Sequence, residues 1–448
     1  MVRIKLMTDR IFPLDRRQLI AGLGAAMLGP ALPSVAAAQG QRPSLTLRAK
    51  ADMIGLRLGA PDTPIWALAG PEPDRDPALK RGGTLELSFQ NDLPVPAVLN
   101  WRGVDGVTAI EALTARAPLA PGARETLLVP TRHAGTLMCD LRLSSDSQAL
   151  PSCARVLSVA ETEPVTADRD EVLLIEDWRL RSDGTAIAPG TDSGTATSIY
   201  TVNGLRTPRE IRLRAHERLR LRLVNGCQRS VIAIKMEGYD VRVMAIDGQP
   251  AEPFLARNGA VVMAPGARVD AFIDAAAPAG SISPILLHDG KEARPIGSLV
   301  VSNEPPIRPT LLPPAPPLPS NGLPAQLDLK GALRFDVALG GPPADWMTPA
   351  AFAAASPPAF RAKAGRTVVL ALTNRAQIAT VFHLHGHHFR LLDRLDDGWK
   401  PFWLDTLAFE PGQTQRVAFA AEYPGRWLIE TMAVDWAAPR LVRWYSVD

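Results

Sequence analysis

The run Phe382-His383-Leu384-His385-Gly386-His387-His388-Phe389 holds four of the seven histidines of a 448-residue chain. Extended backbone sends successive side chains to opposite faces, so His383 and His385 project to the same side of a strand. Two imidazoles so placed can hold a copper or zinc ion weakly, with His387 or His388 as a third donor. The other reading of the same pair is structural: buried imidazoles hydrogen-bonded across a seam between domains. His133, His216 and His288 stand singly and read as ordinary histidines.

Outward from this run, the chain is a succession of short alternating stretches broken by Gly, Pro, Asn and Asp. Thr84-Leu85-Glu86-Leu87-Ser88-Phe89, Leu219-Arg220-Leu221-Arg222-Leu223 and Arg416-Val417-Ala418-Phe419 are examples. A period of two predicts strands with one buried and one wet face. Helical patterning is scarce, with a short turn expected over residues 350–355. The sharpest boundary is 304–324, where nine of twenty-one residues are Pro. Such a stretch cannot donate to a ladder and reads as an extended connector. A softer break at 158–170 leaves segments of about 40–160, 165–303 and 325–448, each the size of one sandwich. Each segment also carries a Pro-Gly turn ahead of an alternating strand: Pro121-Gly122, Pro265-Gly266 and Pro411-Gly412. This spacing hints at one architecture used three times.

The first 38 residues have the three-part plan of an export signal: basic residues, an apolar run from Leu19 to Leu32, and Ala36-Ala37-Ala38 as a cleavage signal. The pair Arg16-Arg17 just before the apolar run points to the twin-arginine route, with an ordinary secretory signal as the alternative. That run is short for a permanent membrane span, so a periplasmic protein with no stable membrane anchor is expected after cleavage. The formal charge of +3 belongs to this signal. Removing its five of the 49 basic and two of the 46 acidic side chains leaves 44 of each. A balanced chain gives no electrostatic case for nucleic acid or anionic lipid as a partner. Cys139, Cys153 and Cys227 form no CxxC or zinc-type spacing, and at least one thiol must stay unpaired. A Cys139–Cys153 bridge is left open, and Cys227 reads as a small buried apolar residue. Nucleophile-elbow, P-loop and dinucleotide-binding patterns are all missing from the sequence.

The histidine run resembles the H-L-H-G-H-x-F segment of multicopper oxidases. Asp405-Thr406, Pro411-Gly412 and Tyr423-Pro424-Gly425-Arg426-Trp427 follow it in that family's order. Further likenesses are Trp101-x-Gly103 after Asn91-Asp92-Leu93-Pro94, Val202-Asn203-Gly204, Asp247-Gly248 and Pro265-Gly266-Ala267-Arg268. The resemblance covers nearly the whole chain beyond the signal. It implies an all-β fold of three consecutive cupredoxin-like Greek-key β-sandwich domains at 40–160, 165–303 and 325–448, with the Pro-rich linker at 304–324.

The resemblance also implies copper chemistry that needs ten histidines and one cysteine, a requirement seven histidines cannot meet. The family's first His-x-His pair falls on Asn100 and Arg102, and its second on Asp140 and Arg142. The third survives as His383 and His385. The mononuclear-site histidine falls on Thr380. The final His-Cys-His falls on Glu430-Thr431-Met432, the following histidine on Trp436 and the axial position on Leu441. A guanidinium has no lone pair for a metal and keeps its proton, so ion pairs of Arg102 and Arg142 with Asp140 and Glu430 are expected to fill the vacated space. Two functions follow. One is a non-catalytic periplasmic scaffold with no bound cofactor and with protein partners in the periplasm or cell envelope, similar to copper-free, twin-arginine-exported relatives that support bacterial cell division under stress. The other is a copper-binding protein or oxidase with a reduced site at His383 and His385.

Overall fold

Short alternating strands become three pairs of facing sheets in the computed structural model, which describes residues 42–448 apart from 73–74, 147, 149, 341–344 and 394–397. The segment read as an export signal lies outside the described residues. In the first pair, one sheet runs Thr63–Ala69, Ser44–Ile54, Thr84–Asn91, Arg124–Pro130, and the other Leu79–Lys80, Arg155–Ala160, Gly135–Asp140, Asn100–Arg102. The second pair is larger, with six strands led by Thr197–Val202 and Arg169–Leu180 facing five led by Arg209–Leu213 and Ala293–Val301. In the third, four strands from Leu333–Leu339 to Arg390–Leu391 face five that include Gly425–Ala433, Thr380–Leu384 and Thr406–Phe409.

One pairing scheme recurs in all three. The opening strand of each unit lies parallel to a later one: Ser44–Ile54 beside Thr84–Asn91, Arg169–Leu180 beside Arg218–Asn225, Leu333–Leu339 beside Thr367–Asn374. In the facing sheet the closing strand lies parallel to a short early one, as Arg155–Ala160 does beside Leu79–Lys80, with counterparts in the other two pairs. The threefold repeat hinted at by the Pro-Gly turns is therefore carried by strand pairing. The fold is cupredoxin-like and nearly all-β. Among the described residues the α-helix Arg142–Ser145 and a few 3₁₀ turns are the helical elements, and no helix is long and apolar enough to cross a membrane. The turn expected over 350–355 is a single 3₁₀ turn, Pro349–Ala351.

Each sheet pair encloses its own apolar core. Leu47, Leu87, Phe89 and Val159 lie in the first, Leu221, Ile234 and Leu299 in the second, and Leu370, Phe382 and Tyr445 in the third. The expectation of one wet face fails at Arg218–Asn225, where all eight residues are buried. Leu219, Leu221 and Leu223 enter the core as alternation requires. The arginines point instead at acidic groups brought by neighbouring segments. Arg220 meets Asp270 and Glu161, and Arg222 meets Asp170, Asp270 and the Thr136 hydroxyl. Charge in a strand pattern marks the face away from the core, and here that face is covered by the first sandwich rather than by water.

All three cysteines are free thiols. Cys139 and Cys227 are buried, and Cys153 packs its sulfur 3.8 Å from the Trp66 carbonyl. The Cys139–Cys153 bridge left open by the sequence is not formed.

Candidate functional site

The strands that carry the chemistry meet at the seam between the first and third sandwiches. Asn100–Arg102 pairs with Gly135–Asp140 and sets Asn100 opposite Asp140. Thr380–Leu384 pairs with Gly425–Ala433 and sets His383 opposite Glu430 and Phe382 opposite Thr431. Docking of the two sandwiches then sets Asn100 and Arg102 against Glu430, beside His383 and His385, although these residues lie about 280 to 330 positions apart in sequence. Gly386 ends the histidine strand with φ 74°, and a Cβ there would sit 2.3 Å from the Trp427 ring, so only glycine lets the run turn over that indole. The Gly386 carbonyl accepts the Gly106 amide at 3.1 Å, which stitches the run to the first sandwich.

Glu430, only 2% exposed, is the hub. Its carboxylate accepts hydrogen bonds from Asn100 Nδ2 at 2.9 Å, Arg102 Nη2 at 3.3 Å, His385 Nε2 at 2.8 Å and Arg440 Nη1. Arg440 Nε approaches Asp146 Oδ2 at 3.4 Å, and that same oxygen accepts Arg229 Nη2 of the second sandwich at 2.7 Å. Burial alone would push the Glu430 carboxyl up, but Arg102 and Arg440 override it and hold the group well below the usual carboxylate range. His385 is held at both ring nitrogens, with Glu111 Oε1 3.1 Å from Nδ1 and Glu430 at Nε2. Burial disfavours its charge, yet the two carboxylates raise it to about 9. A doubly protonated imidazole between two carboxylates has no lone pair to give.

His383 is the opposite case. Its Nδ1 donates to the Asp405 carbonyl at 2.9 Å, while Nε2 is buried with no partner. Burial and then the Arg102 charge lower it to about 3, so the ring is neutral with its Nε2 lone pair free. A cavity of about 10 Å³, lined by both histidines, Asn100, Glu111 and Asp405, adjoins it. That is room for one water-sized sphere. His383, His385 and Glu430 bring their donor atoms within 4.8 Å of one another.

Of the expected ion pairs, Arg102 does meet Glu430. Arg142 lies 3.8 Å from Asp140 and 3.9 Å from Glu176, but its hydrogen bonds run to the Gly226 and Cys227 carbonyls. The sequence reading missed Glu111, Arg440, Asp146 and Arg229, which have no motif and reach the seam only through folding. It also missed a junction of all three sandwiches. There Arg268 forks onto Asp405 at 3.0 and 2.7 Å while donating to the Thr136 and Asp247 carbonyls. Asp247, pushed up to about 6 by burial and the Asp405 charge, receives the Asp405 and Thr406 amides. His133 is not an isolated residue either. It takes a hydrogen bond from Gln249 at 2.8 Å beside Asp105, which is 2.7 Å from His388 Nδ1. Asp105, His133 and His388 form the second group of donors within 4.8 Å. Of the other two single histidines, His216 bonds the Arg308 carbonyl at 2.7 Å and His288 caps its own turn.

Three cupredoxin-like sandwiches in a row, with a histidine strand at the seam of the first and third, match the architecture of solved multicopper oxidases. The comparisons are more specific: residues 169–281 and 326–447, together more than half of the chain, match the family models described as multicopper oxidase. The chain belongs to the multicopper oxidase family. It is 23% identical over 411 residues to the multicopper oxidase MmcO of Mycobacterium tuberculosis, a match spanning 78% of this chain and 76% of that protein. It superposes on a multicopper oxidase from Pseudomonas thermotolerans with TM-score 0.76 and 25% identity, covering 90% of this chain and 99% of that one. A second, from Pseudomonas parafulva, gives TM-score 0.73 at 25% identity over 90% of this chain and 99% of that one.

Proposed function

We propose that this protein is a copper-independent member of its family: an exported, non-catalytic scaffold of the periplasm that binds protein partners there or in the cell envelope. The observation that carries the reading is the set of groups around Glu430. Where the family resemblance places cluster imidazoles, this chain has Asn100, Arg102, Asp140, Arg142, Glu430 and Met432, and of the surviving pair His383 and His385, His385 is engaged at both nitrogens. Guanidinium cations offer no lone pair and repel a metal cation. Cys and the histidines of a mononuclear copper site are replaced by Thr431, Thr380 and Trp436. This donor set does not fit a three-copper cluster or a thiolate copper site. The signal at residues 1–38 supports export by the twin-arginine route. Likeness in signal, length and ligand positions to copper-free relatives supports a role in cell division or envelope stress.

The test is metal content. The protein is purified after growth with copper, stripped of loose ions and assayed for copper per chain and for oxidation of phenols and cuprous ion. Substoichiometric copper without turnover is expected, together with a division or envelope defect on deletion that an unmetallated protein rescues. One copper or more per chain with oxidase turnover would overturn the reading. A second reading, one weak copper at His383 and His385, is favoured by the free Nε2 of His383 beside its small cavity. It predicts one ion per chain lost in the His383→Gln variant.

A further inference from the structure

Two outermost strands line one groove between the second and third sandwiches. Ala260–Met263 ends one sheet of the second, and Thr406–Phe409 ends one sheet of the third. Val261 and Val262 from the first strand, and Leu407 and Ala408 from the other, line a cavity of about 370 Å³, with Ile246 and Phe254 adding to its apolar wall. The wall is open to solvent: Val262 is 71% exposed and Phe254 40%.

Hydrogen-bond direction makes both edges open. In an antiparallel pair, alternate residues turn their N–H and C=O toward the partner strand and the others turn away. The Glu237 amide donates to the Pro284 carbonyl, so Glu237 and Lys235 face the strand Ile282–His288, while Ile232 and Ile234 face Ala260–Met263. Their partners Val261 and Met263 are used within the sheet, and Val262 turns its N–H and C=O outward. On the other edge the Leu384 amide donates to the Asp405 carbonyl, which makes Thr406 and Ala408 the outward residues. Thr406 accordingly gives its amide to Asp247 Oδ2 rather than to the ladder. Native sheets guard such edges with charge or proline. Arg209–Leu213, the opposite edge of the same sheet, carries Arg209, Glu210 and Arg212. Gln249–Leu255, the outermost strand that supplies Phe254, carries Pro250 and Pro253. Ala260-Val261-Val262-Met263 has neither. An exposed, apolar and unguarded edge is a template for one more strand.

Charge narrows the occupant. Arg257 and Asp247 are the charged residues lining the groove. Asp247 is fully buried and takes the Arg268, Asp405 and Thr406 amides. Arg257 is exposed and has no ion pair or side-chain hydrogen bond among the described residues. Glu252, exposed on the strand that carries Phe254, is outside the lining. A second copy docking through the same face would bring its own Arg257 to a positive groove. A different chain with an acidic residue is the complementary one.

We propose that this groove takes an extended segment of a partner protein, with alternating apolar side chains and an acidic residue, as an added β-strand. Its backbone pairs with Val262, its apolar side chains lie on Ile246, Phe254 and Leu407, and its carboxylate meets Arg257. The inference gives the scaffold role a binding face and rests on that reading for its use. Binding is measured without reference to copper, so its failure leaves the copper-free reading standing.

The test is fluorescence anisotropy of the purified protein with three labelled peptides: alternating Val and Thr ending in Asp, the same ending in Lys, and the Asp peptide with a central Pro. The Asp peptide should bind about three- to fivefold tighter than the Lys peptide, the worth of one exposed ion pair. The Pro peptide, which cannot complete a ladder, should bind about tenfold weaker or worse. Arg257→Glu should reverse the preference between Asp and Lys. Val262→Pro removes the outward N–H at a position where an edge tolerates proline, and should weaken the Asp peptide about tenfold with an unchanged thermal midpoint. Val262→Lys guards the same edge with a charge and should act alike. Absent binding of the Asp peptide, equal binding of all three peptides, or affinity indifferent to both Val262 variants would overturn the assignment. So would a dimer in sedimentation that Val262→Lys abolishes, which gives the groove to a second copy, or dodecanoate binding that displaces the peptide and is unchanged by Val262→Pro, which gives it to a small apolar acid. The peptide comparison is made on the wild-type protein and so stands even if a variant folds poorly.

Discussion

Replacing Glu430 by Gln removes one negative charge from the centre of the seam and leaves its shape. In the wild-type protein that carboxylate faces Arg102, Arg440 and protonated His385, and it also accepts from Asn100. Breaking a buried pair by neutralising one partner costs about 3–5 kcal/mol, because the other charge stays buried and uncompensated. Here the losses are unequal. Arg440 keeps Asp146 nearby and His385 keeps Glu111, whereas Arg102 loses its carboxylate and already has Nε and Nη1 without partners. One cation out of three is truly stranded, so the lower end applies, about 3 kcal/mol. Urea unfolding of the wild-type and Glu430→Gln proteins measures the difference, with and without a chelator. Adding Arg102→Met to Glu430→Gln should recover about 1–2 kcal/mol, since the stranded cation is then gone. A loss below about 1 kcal/mol, the size of an exposed pair, would refute the buried hub. A loss that appears only without chelator would mean that Glu430 stabilises the seam by holding a metal ion rather than by pairing with these cations.

Two further outcomes concern pH. His385 and His388 are held up at about 9 by buried carboxylates that outweigh desolvation. A raised histidine contributes stability that is fully present below its unfolded value near 6.5 and is lost as pH rises through the folded value. The unfolding free energy from urea titrations should therefore fall between pH 6.5 and 9.5, by on the order of 3 kcal/mol for each histidine. His388→Gln should remove part of that slope, and a flat profile would sink the assignment. Glu176 is pushed up to about 7, chiefly by burial. A raised carboxyl contributes stability present below its unfolded value near 4.5 and lost as pH rises through 7. Glu176→Gln mimics the protonated form and should be near neutral at pH 5 yet stabilising by about 1–3 kcal/mol at pH 8.5. Equal effects at both pH values would contradict the raised carboxyl.

The histidine run was legible because a motif packs its information into eight consecutive residues. Alternation in Ser44–Ile54 or Arg209–Leu213 is legible because a strand's two faces have different solvents. Arg218–Asn225 was misread for the same reason. A pattern of period two says which face is polar; Asp270 and Asp170 reach the arginines from flanking strands of the same sheet, and only docking decides whether the rest of that face meets water or Glu161 and the Thr136 hydroxyl. Arg102 and Glu430 were anticipated as partners because the family motif fixed their places. Arg440, Asp146, Glu111 and Arg229 were not, since each is one charged residue in a loop or strand with no local signature.

Local sequence determined the strands, the turns, the Pro-rich connector and the residues aligned with the family's copper positions, because each depends on neighbours a few residues away. Tertiary structure decided the protonation of the surviving histidines. His383 and His385 are two residues apart on one strand, yet one is neutral with a free, buried nitrogen and the other is a cation between Glu111 and Glu430. That difference is set by charges arriving from more than 250 residues away in one case and 45 in the other. Electrostatic energy depends on distance in space and on exclusion of water, and neither quantity exists until the sandwiches have closed on one another.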